Sequence, residues 1–212
     1  MRLDIYLNEK NIFPSREKAR QAILSSAVSV NGKIINKPSL DVSGEDIIEI
    51  IKDVNPYVGR GGLKLAGAIE IFDIDLNGVY ALDVGASTGG FTDCMLKNGA
   101  VFVCACDVGK DQLDPSLRND KRVLSLEKTD IRNLAACPEK YGITKKFDFA
   151  SVDVSFISLT KVLPFLKDLI SPGARVVCLI KPQFEMENRR VGKNGIIRDD
   201  RTHRYVCEKI KD

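Results

Sequence analysis

The stretch ALDVGASTGGF, residues 81–91, decides the fold. Its apolar first half is expected to run as a strand up to Asp83. The glycines that follow, Gly85, Gly89 and Gly90, let the backbone turn tightly and come close to a ligand. A helix is expected from Phe91 onwards. The stretch therefore predicts a strand, a glycine-rich turn and a helix in direct succession, the repeating unit of an α/β sheet.

Several other apolar runs in the chain have the same strand-like character. They are VYALDV, VFVCACDV, FDFASVDVSF and ARVVCLIKPQF. Each is continuous and bounded by polar or glycine-rich residues, as expected of strands that are buried on both faces. Helix-length segments such as FTDCMLKNGA and SLTKVLPFLKDLI separate them. This alternation predicts an α/β domain with a mostly parallel sheet, helices on both faces and ligands at the carboxyl ends of the strands.

The glycine spacing indicates which kind of ligand the first turn accepts. It is G-x-x-x-G-G, which differs from the dinucleotide pattern G-x-G-x-x-G, and no Lys-Ser or Lys-Thr follows as in a phosphate-binding loop. A nucleoside is therefore favoured over a pyrophosphate. Asp107 follows the next strand, 22 residues after Gly85, where a carboxylate can accept hydrogen bonds from both ribose hydroxyls. Asp130, expected near the third strand end, could meet an adenine amino group. Each of these residues taken alone also reads as a turn former or a helix cap.

Composition excludes several classes of protein. The chain has 212 residues, a hydrophobic fraction of 44% and a net charge of +3, which is too small to identify a partner. No apolar run reaches the roughly 18 to 20 residues that cross a bilayer, and the first residues do not read as a signal peptide. We therefore expect a cytoplasmic protein that does not insert into membranes. The six cysteines form no C-x-x-C pair, so buried free thiols are favoured over disulfides, and we expect no metal site.

The basic residues are concentrated at the N-terminus. Residues 1–40 hold seven Lys or Arg against three acids, a net charge of +4, which is typical of a surface that meets a polyanion. After Pro14 a helix capped by Ser15 is expected, and Asn31-Gly32 predicts a tight hairpin after it. Arg16 and Arg20 lie one turn apart on the expected helix. Taken alone, these two arginines favour a solvated helix face over a binding face.

The same N-terminal segment resembles a known RNA-binding domain. The SR-x-x-A-x-x-x-I helix followed by V-x-VNGK is similar to the αL domain first described in the fourth protein of the small ribosomal subunit. The resemblance covers nearly all of residues 1–52, and we assign residues 1–53 to this domain and residues 54–62 to a linker. It implies phosphate contacts by Arg16, Lys18, Arg20 and Lys33. Arg60, in the linker, is a separate candidate for an RNA contact. A solvated charge remains the alternative for Arg60.

Residues 63–212 resemble the class I methyltransferases, whose sheet is Rossmann-like. The resemblance rests on the glycine-rich turn and on acids at successive strand ends. It implies S-adenosylmethionine as the cofactor. The residues expected to bind it are Asp83, Gly85, Ala86, Ser87, Gly89, Gly90, Phe91, Asp107 and Asp130.

Three polar residues at other strand and helix positions suggest the reaction. SVDVSF carries Asp153 where base N-methyltransferases carry Pro-Pro-aromatic, and it has no cysteine nucleophile of the kind used for cytosine C5. CLIKPQFE brings Lys181 out of an apolar run, which is costly unless the lysine has a partner or a role. Asp153 is its natural partner, and Lys64 of GRGGLKL is a further candidate. A lysine beside a sulfonium and a second lysine shifts towards its neutral form, so it can take the proton of a ribose 2′-hydroxyl.

The second domain resembles the FtsJ-like ribose 2′-O-methyltransferases, which share a Lys-Asp-Lys-Glu tetrad. The first three members correspond to Lys64, Asp153 and Lys181. The succession YVGRGGLKL, LDVGASTGGFTD, DVGKDQL, SVDVSFISL and LIKPQFE is similar to the TlyA or haemolysin A type of rRNA 2′-O-methyltransferases. This resemblance implies methylation of a cytidine ribose and ribosomal RNA or ribosomal subunits as partners.

One departure from that family pattern limits the expectation. The family's fourth tetrad member, a Glu in a glycine-rich stretch, has no counterpart here, because Glu208 lies in a helical segment that does not match the motif. We expect the last strands of the sheet to be missing, the chain to be truncated at its C-terminus and its activity to be impaired. An RNA-binding assembly or translation factor with an inactive methyltransferase fold is the alternative, and a membrane-acting lysin is disfavoured. Gly192, Lys193 and Arg198 are expected in a loop, either near the substrate channel or as plain solvated surface.

Overall fold

The structure is a computed structural model, and it describes residues 1–51, 55–186, 197 and 199–211. The chain divides into two compact units, Met1–Pro56 and Tyr57–Asp212. Gly192, Lys193 and Arg198, which were expected in a loop, lie outside the described residues, as do residues 52–54 at the expected boundary between the first domain and the linker.

The first unit is a small α+β structure. Its elements are α1 (Leu3–Glu9), α2 (Arg16–Leu24), β1 (Val28–Val30), β2 (Lys33–Ile34) and β3 (Ile48–Ile50). The three strands form an antiparallel sheet in the order β2-β1-β3. Ser15 caps α2 by accepting a hydrogen bond from the Lys18 amide, as predicted. Asn31 and Gly32 both have positive φ, 52° and 75°, so the predicted hairpin turn is confirmed.

The second unit contains the parallel sheet and most of the helices. Its elements are α3 (Gly61–Ile71), β4 (Tyr80–Val84), α4 (Gly90–Lys97), β5 (Phe102–Cys106), α5 (Pro115–Arg118), β6 (Val123–Leu126), α6 (Ile131–Ala136), β7 (Phe147–Val152), α7 (Leu163–Leu169), β8 (Ile170–Cys178), α8 (Pro182–Glu185) and α9 (Asp200–Lys211). Short 3₁₀ turns at Pro138–Tyr141 and Leu159–Lys161 precede β7 and α7. The predicted alternation of strands and helices is thus confirmed.

The strand order of this sheet determines where a ligand can bind. The five strands run parallel in the order β6-β5-β4-β7-β8. The chain moves outwards from β4 in one direction and then crosses over to β7 on the other side, so the order reverses between β4 and β7. In open α/β sheets a crevice forms beyond the carboxyl ends of the strands at this reversal, and ligands bind there.

Two apolar layers enclose the sheet. Ala81 and Phe149 face a layer that includes residues of α3 and α4, whereas Leu82 and Ala150 face a layer that includes residues of α6 and α7. Because successive strand residues point to opposite faces, both faces of β4, β5 and β7 are buried, which explains their continuous apolar composition. The strand ends are therefore held rigidly beneath the site. The prediction of two-sided burial is wrong for β8, which lies at the edge of the described sheet and exposes Arg175 and Val176.

The cysteine prediction is partly wrong. All six cysteines are free, but Cys137 and Cys207, at the end of α6 and on α9, are exposed. Burial raises the pKa of Cys106 to about 12, so this thiol stays protonated at neutral pH. Among the described residues no group of side chains could hold a metal ion. Within the same residues, no helix is both long and apolar enough to cross a membrane.

Candidate active site

The glycine-rich turn after β4 packs against the backbone that follows β7. Gly85 has φ +83°, and a Cβ atom at this position would lie 2.6 Å from the carbonyl oxygen of Asp153. A side chain would therefore push the two strand ends apart. The absence of a Cβ keeps the carboxyl ends of β4 and β7 in contact at the point where the strand order reverses.

Asp83 supports this turn from below. Its carboxylate is fully buried and accepts hydrogen bonds from Thr92 Oγ1 at 2.7 Å and Ser151 Oγ at 3.0 Å. Burial raises the pKa of Asp83 to about 6, because no cation compensates for the lost hydration. Its side chain links β4 to α4 and β7, and it lines neither of the cavities described below. Asp83 can thus act on a ligand through the turn that it braces.

A cavity of about 360 Å³ lies beyond the ends of β4, β5 and β7. Asp107, directly after β5, lines it and accepts hydrogen bonds from the amides of Ser87 at 2.8 Å and Gly109 at 2.6 Å. These contacts hold the carboxylate at the cavity wall, where its remaining lone pairs can meet hydroxyl groups. The volume and the acid suit a nucleoside.

Asp130 also lines this cavity, but its carboxylate is already engaged. It caps α6 and accepts two hydrogen bonds from the Arg132 guanidinium, at 2.9 and 2.6 Å. Arg132 lowers the pKa of Asp130, so the group is a carboxylate at neutral pH. An adenine amino group would therefore share Asp130 with Arg132.

A second cavity of about 270 Å³ adjoins the first. It is lined by α3, the glycine-rich turn and the segments that follow β7 and β8. Of the residues expected to bind a cofactor, those lining this cavity are Gly85, Ala86, Ser87, Gly90 and Phe91. Gly85, Ser87, Asp153 and Ser155 line both cavities. A ligand in the first cavity would therefore present part of itself to the second.

The second cavity contains the three predicted polar residues as one charged cluster. Lys181 Nζ lies 2.5 Å from Asp153 Oδ1, and Lys64 Nζ lies 3.8 Å from Asp153 Oδ2. Oδ1 is buried and accepts no hydrogen bond of regular geometry from the described residues, so its contact with Lys181 is an ion pair. The Lys181 and Asp153 side chains are each 18% exposed, whereas Lys64 is 52% exposed. Lys181 is thus the more enclosed of the two lysines.

Close glycine packing brings Lys64 to this cluster. A Cβ at Gly62 would lie 2.3 Å from the Tyr57 ring, and a Cβ at Gly90 would lie 2.9 Å from the Gly62 amide nitrogen. Helix α3 therefore lies directly on the start of α4, closer than any side chain would allow. The GRGGLKL segment thus sets the position of its own lysine.

Residues 57–212 match the family described as FtsJ-like methyltransferase. The chain belongs to this family. Residues 1–48 match the S4 domain. The expected α/β methyltransferase fold with a small N-terminal RNA-binding domain is confirmed by these matches.

The similarity of this FtsJ-like methyltransferase to known relatives covers most of its length. Hemolysin A of Brachyspira hyodysenteriae is 43% identical over 201 residues, which cover 94% of this chain and 82% of the relative. The 16S/23S rRNA (cytidine-2′-O)-methyltransferase TlyA of Mycobacterium tuberculosis is 42% identical over 199 residues, which cover 93% of this chain and 73% of the relative. A solved structure described as a hemolysin of Streptococcus thermophilus superposes with a TM-score of 0.72 at 39% identity, covering 100% of this chain and 76% of that one.

In the S4 domain, the expected RNA-binding residues differ in how firmly they are held. Arg16 Nε donates a hydrogen bond to the fully buried Asp4 at 2.9 Å. Arg20 lies 3.7 Å from Glu17 on the exposed surface, so part of its charge is offset. Lys33 is exposed on β2, and Lys18 is half-buried. Arg60, by contrast, is exposed at the start of α3 in the second unit.

Sequence reasoning missed three residues beside the charged cluster of the FtsJ-like domain. Ser155 accepts a hydrogen bond from Lys181 at 2.8 Å. Phe156 is 91% exposed, has φ 65° and lies 5.0 Å from the Phe184 ring between centroids. Ser155 and Phe156 follow Asp153 closely in SVDVSF. Their position just after a polar strand end was the sequence signal that could have identified them. A large side chain in the left-handed region is strained, and such strain is found mostly at functional sites.

Proposed function

We propose that this chain transfers a methyl group from S-adenosylmethionine to a ribose 2′-hydroxyl, that of a cytidine in ribosomal RNA. The observation that carries the proposal is the Lys64–Asp153–Lys181 cluster, which opens into a cavity adjoining one of nucleoside size. Membership of the FtsJ-like methyltransferase family supports methyl transfer as the reaction class.

The residues of the larger cavity fit S-adenosylmethionine. Gly85 leaves room for a ligand to approach the backbone, and Asp107 offers carboxylate lone pairs to ribose hydroxyls. Ser87 and Phe91 line the adjoining cavity, towards which the methionine part would extend. The cofactor supplies a methyl group activated by a positively charged sulfur.

The charged cluster supplies general-base catalysis and positioning. Lys181 is the better candidate for the base, because it is enclosed and close to the shared wall of the two cavities. In the proposed reaction the neutral amine form of Lys181 would accept the proton of the 2′-hydroxyl while the oxygen takes the methyl group, and the bond between that methyl group and the sulfur would break to leave a neutral thioether. Asp153 holds both lysines in place, and Lys64 orients the ribose from the opposite side. No covalent intermediate with the protein is needed.

An RNA substrate is supported by two features of the surface. The S4 domain presents exposed cations that suit phosphate groups. In the FtsJ-like domain, the exposed ring of Phe156 beside Phe184 offers an aromatic face close to Lys181, which suits stacking of an unpaired base. The ribosomal RNA and the cytidine are taken from the name of the Mycobacterium tuberculosis relative.

The test is methyl transfer from radiolabelled S-adenosylmethionine to ribosomal subunits, followed by mapping of 2′-O-methylated positions. We expect label at a cytidine ribose and a loss of about 10³-fold in rate for Lys181→Ala, within the range for removal of a general base. Lys167→Ala, on α7 away from the cluster, is the matched control. Label on a base, or an unchanged rate for Lys181→Ala, would contradict the proposal.

A further inference from the structure

We propose that Ser155 is a positioning residue that fixes the amino group of Lys181 for the reaction. This inference rests on the proposed function, because it concerns how the base is oriented. Ser155 does not belong to the Lys-Asp-Lys pattern, and its involvement follows from its contacts in the structure alone.

Two contacts of Lys181 restrict how its amino group can rotate. A protonated lysine carries three N–H groups. One donates to Ser155 Oγ at 2.8 Å, while the ammonium group lies 2.5 Å from Asp153 Oδ1 as an ion pair outside regular hydrogen-bond geometry. The hydrogen bond fixes one N–H direction, and the ion pair fixes the side of the group that lies against Asp153. Two contacts therefore set an orientation that Asp153 alone would leave free to rotate.

The location of Ser155 makes this contact relevant to the reaction. Ser155 lines both the nucleoside-sized cavity and the cavity of the charged cluster. It therefore lies where a methyl donor and a ribose would meet. A lysine side chain has four flexible carbons and loses rotamer freedom when it is held. Misplacement of a reacting group by about 1 Å costs roughly 10²-fold in rate, so the loss of one anchoring contact would show as slower chemistry.

The buried carboxylate of Glu185 connects the two segments that carry Ser155 and Lys181. Glu185, at the end of α8, is 2% exposed and accepts hydrogen bonds from Ser158 Oγ and from the Leu159 amide, the latter at 2.9 Å. It thereby ties the segment after β7, which carries Ser155, to the segment after β8, which carries Lys181. The hydrogen bond between the two is consequently set by the packing of both strand ends.

The experiment compares Ser155→Ala with Ser155→Thr, which retains the hydroxyl. For Ser155→Ala we expect kcat to fall by about 10- to 100-fold, with the Kd for S-adenosylmethionine and the KM for ribosomal subunits within about twofold of the parent chain. Ser155→Thr is expected to recover most of kcat. Ser171→Ala, on β8, is the matched control and should leave all three constants unchanged. A raised KM or Kd at unchanged kcat would overturn the inference, since it would indicate direct contact with a substrate.

A second set of variants shows whether Ser155 acts through Lys181. In a Lys181→Ala background, Ser155→Ala should change the residual single-turnover rate by less than about twofold, because coupled residues are not additive. A further tenfold loss would contradict the inference. If Lys181→Ala itself retains full activity, the proposed function fails. If Lys181→Ala is inactive and Ser155→Ala is not, only the role of Ser155 fails.

Discussion

Each of the two units holds an aspartate between two cations, and the cations differ. In the first unit Asp4 accepts hydrogen bonds from Arg2 at 3.0 Å and Arg16 at 2.9 Å. In the second unit Asp153 pairs with two lysines, at 2.5 and 3.8 Å. Arginine keeps its charge under all ordinary conditions, whereas a lysine can give up its proton. The comparison suggests arginine where a charge must persist for binding and lysine where a proton must move.

The two aspartates also differ in burial. Asp4 is fully buried, and the Arg2 guanidinium holds the pKa of its carboxyl below the usual range despite that burial. Asp153 is 18% exposed and lies at a cavity wall. The first arrangement is closed around its acid and turns its arginines outwards. The second is open on the side where a substrate would enter.

The largest effect is expected from Lys181→Arg, which makes the second cluster resemble the first. The charge is kept, but a guanidinium cannot accept a proton at any working pH. We expect methyl transfer to fall by about 10²- to 10³-fold, close to the loss for removal of a general base, while S-adenosylmethionine binding is retained. Radiolabel transfer and a thermal-shift titration measure the two quantities. A variant with near-parent activity would show that Lys181 acts only as a charge.

The next largest effect is expected in the pH dependence of stability at Asp83, a buried aspartate that accepts hydrogen bonds from two neutral hydroxyls. Its pKa of about 6 lies above the value of about 3.9 in an unfolded chain. The folded form therefore gains stability from its protonation below about pH 4 and loses it as pH rises through 6, by about 3 kcal/mol in total. Asp83→Asn should lack this dependence. Hydrogen exchange of the β4 amides between pH 4 and 8, corrected for intrinsic rates, would reveal it, and parallel profiles would refute it.

A smaller effect of opposite sign is expected at Asp4. Its pKa is lowered, so its contribution is present above the unfolded value near 3.9 and is lost as pH falls through the folded value. Asp4→Asn should lower the opening free energy of α1 and α2 by roughly 2 kcal/mol at pH 7, because it removes the charged partner of two arginines. The loss is no larger because both arginines are half-exposed and can be solvated. Hydrogen exchange of the α1 and α2 amides measures this. The difference from the parent chain should shrink on acidification.

The smallest effect is expected from Arg16→Lys, which makes the first cluster resemble the second. A lysine keeps the charge but loses the planar contact with Asp4. We expect ribosomal RNA affinity to fall about threefold with an unchanged salt slope, whereas Arg16→Ala should reduce that slope by about 1. Filter binding at several salt concentrations separates the two variants. Identical slopes for both would exclude a phosphate contact by Arg16.

The sheet could be predicted because its strands carry an unambiguous signal. Runs such as VFVCACDV are apolar throughout, and only burial on both faces explains that composition. The charged cluster could also be predicted from the sequence, since a lysine at the end of a buried strand requires a partner. The structure brings both lysines within 3.8 Å of Asp153. The pairing of Lys181 with Asp153 follows from the general rule that the carboxyl ends of parallel strands meet at one edge, whereas Lys64 reaches Asp153 from α3.

Other features of the site depend on geometry that no local pattern contains. Asp130 caps α6 and accepts hydrogen bonds from Arg132, two residues further along the chain. From the sequence alone, such a pair cannot be told from two free surface charges. The contact of Ser155 with Lys181 depends on the relative register of β7 and β8. The exposure of Phe156 contradicts the ordinary expectation that a phenylalanine beside a buried strand packs inside.

Gly62 has a practical consequence for mutational scanning of this protein. A single methyl group at Gly62 would lie 2.3 Å from the Tyr57 ring, so the ring or α3 would have to shift, and a shift of α3 would move the ammonium of Lys64. In an alanine scan scored by product formation, Gly62 would rank beside the chemically active side chains although it has no side chain of its own. Scans of this enzyme family therefore need a measurement of folding at each position, since a packing glycine and a proton-transferring side chain give the same loss of product.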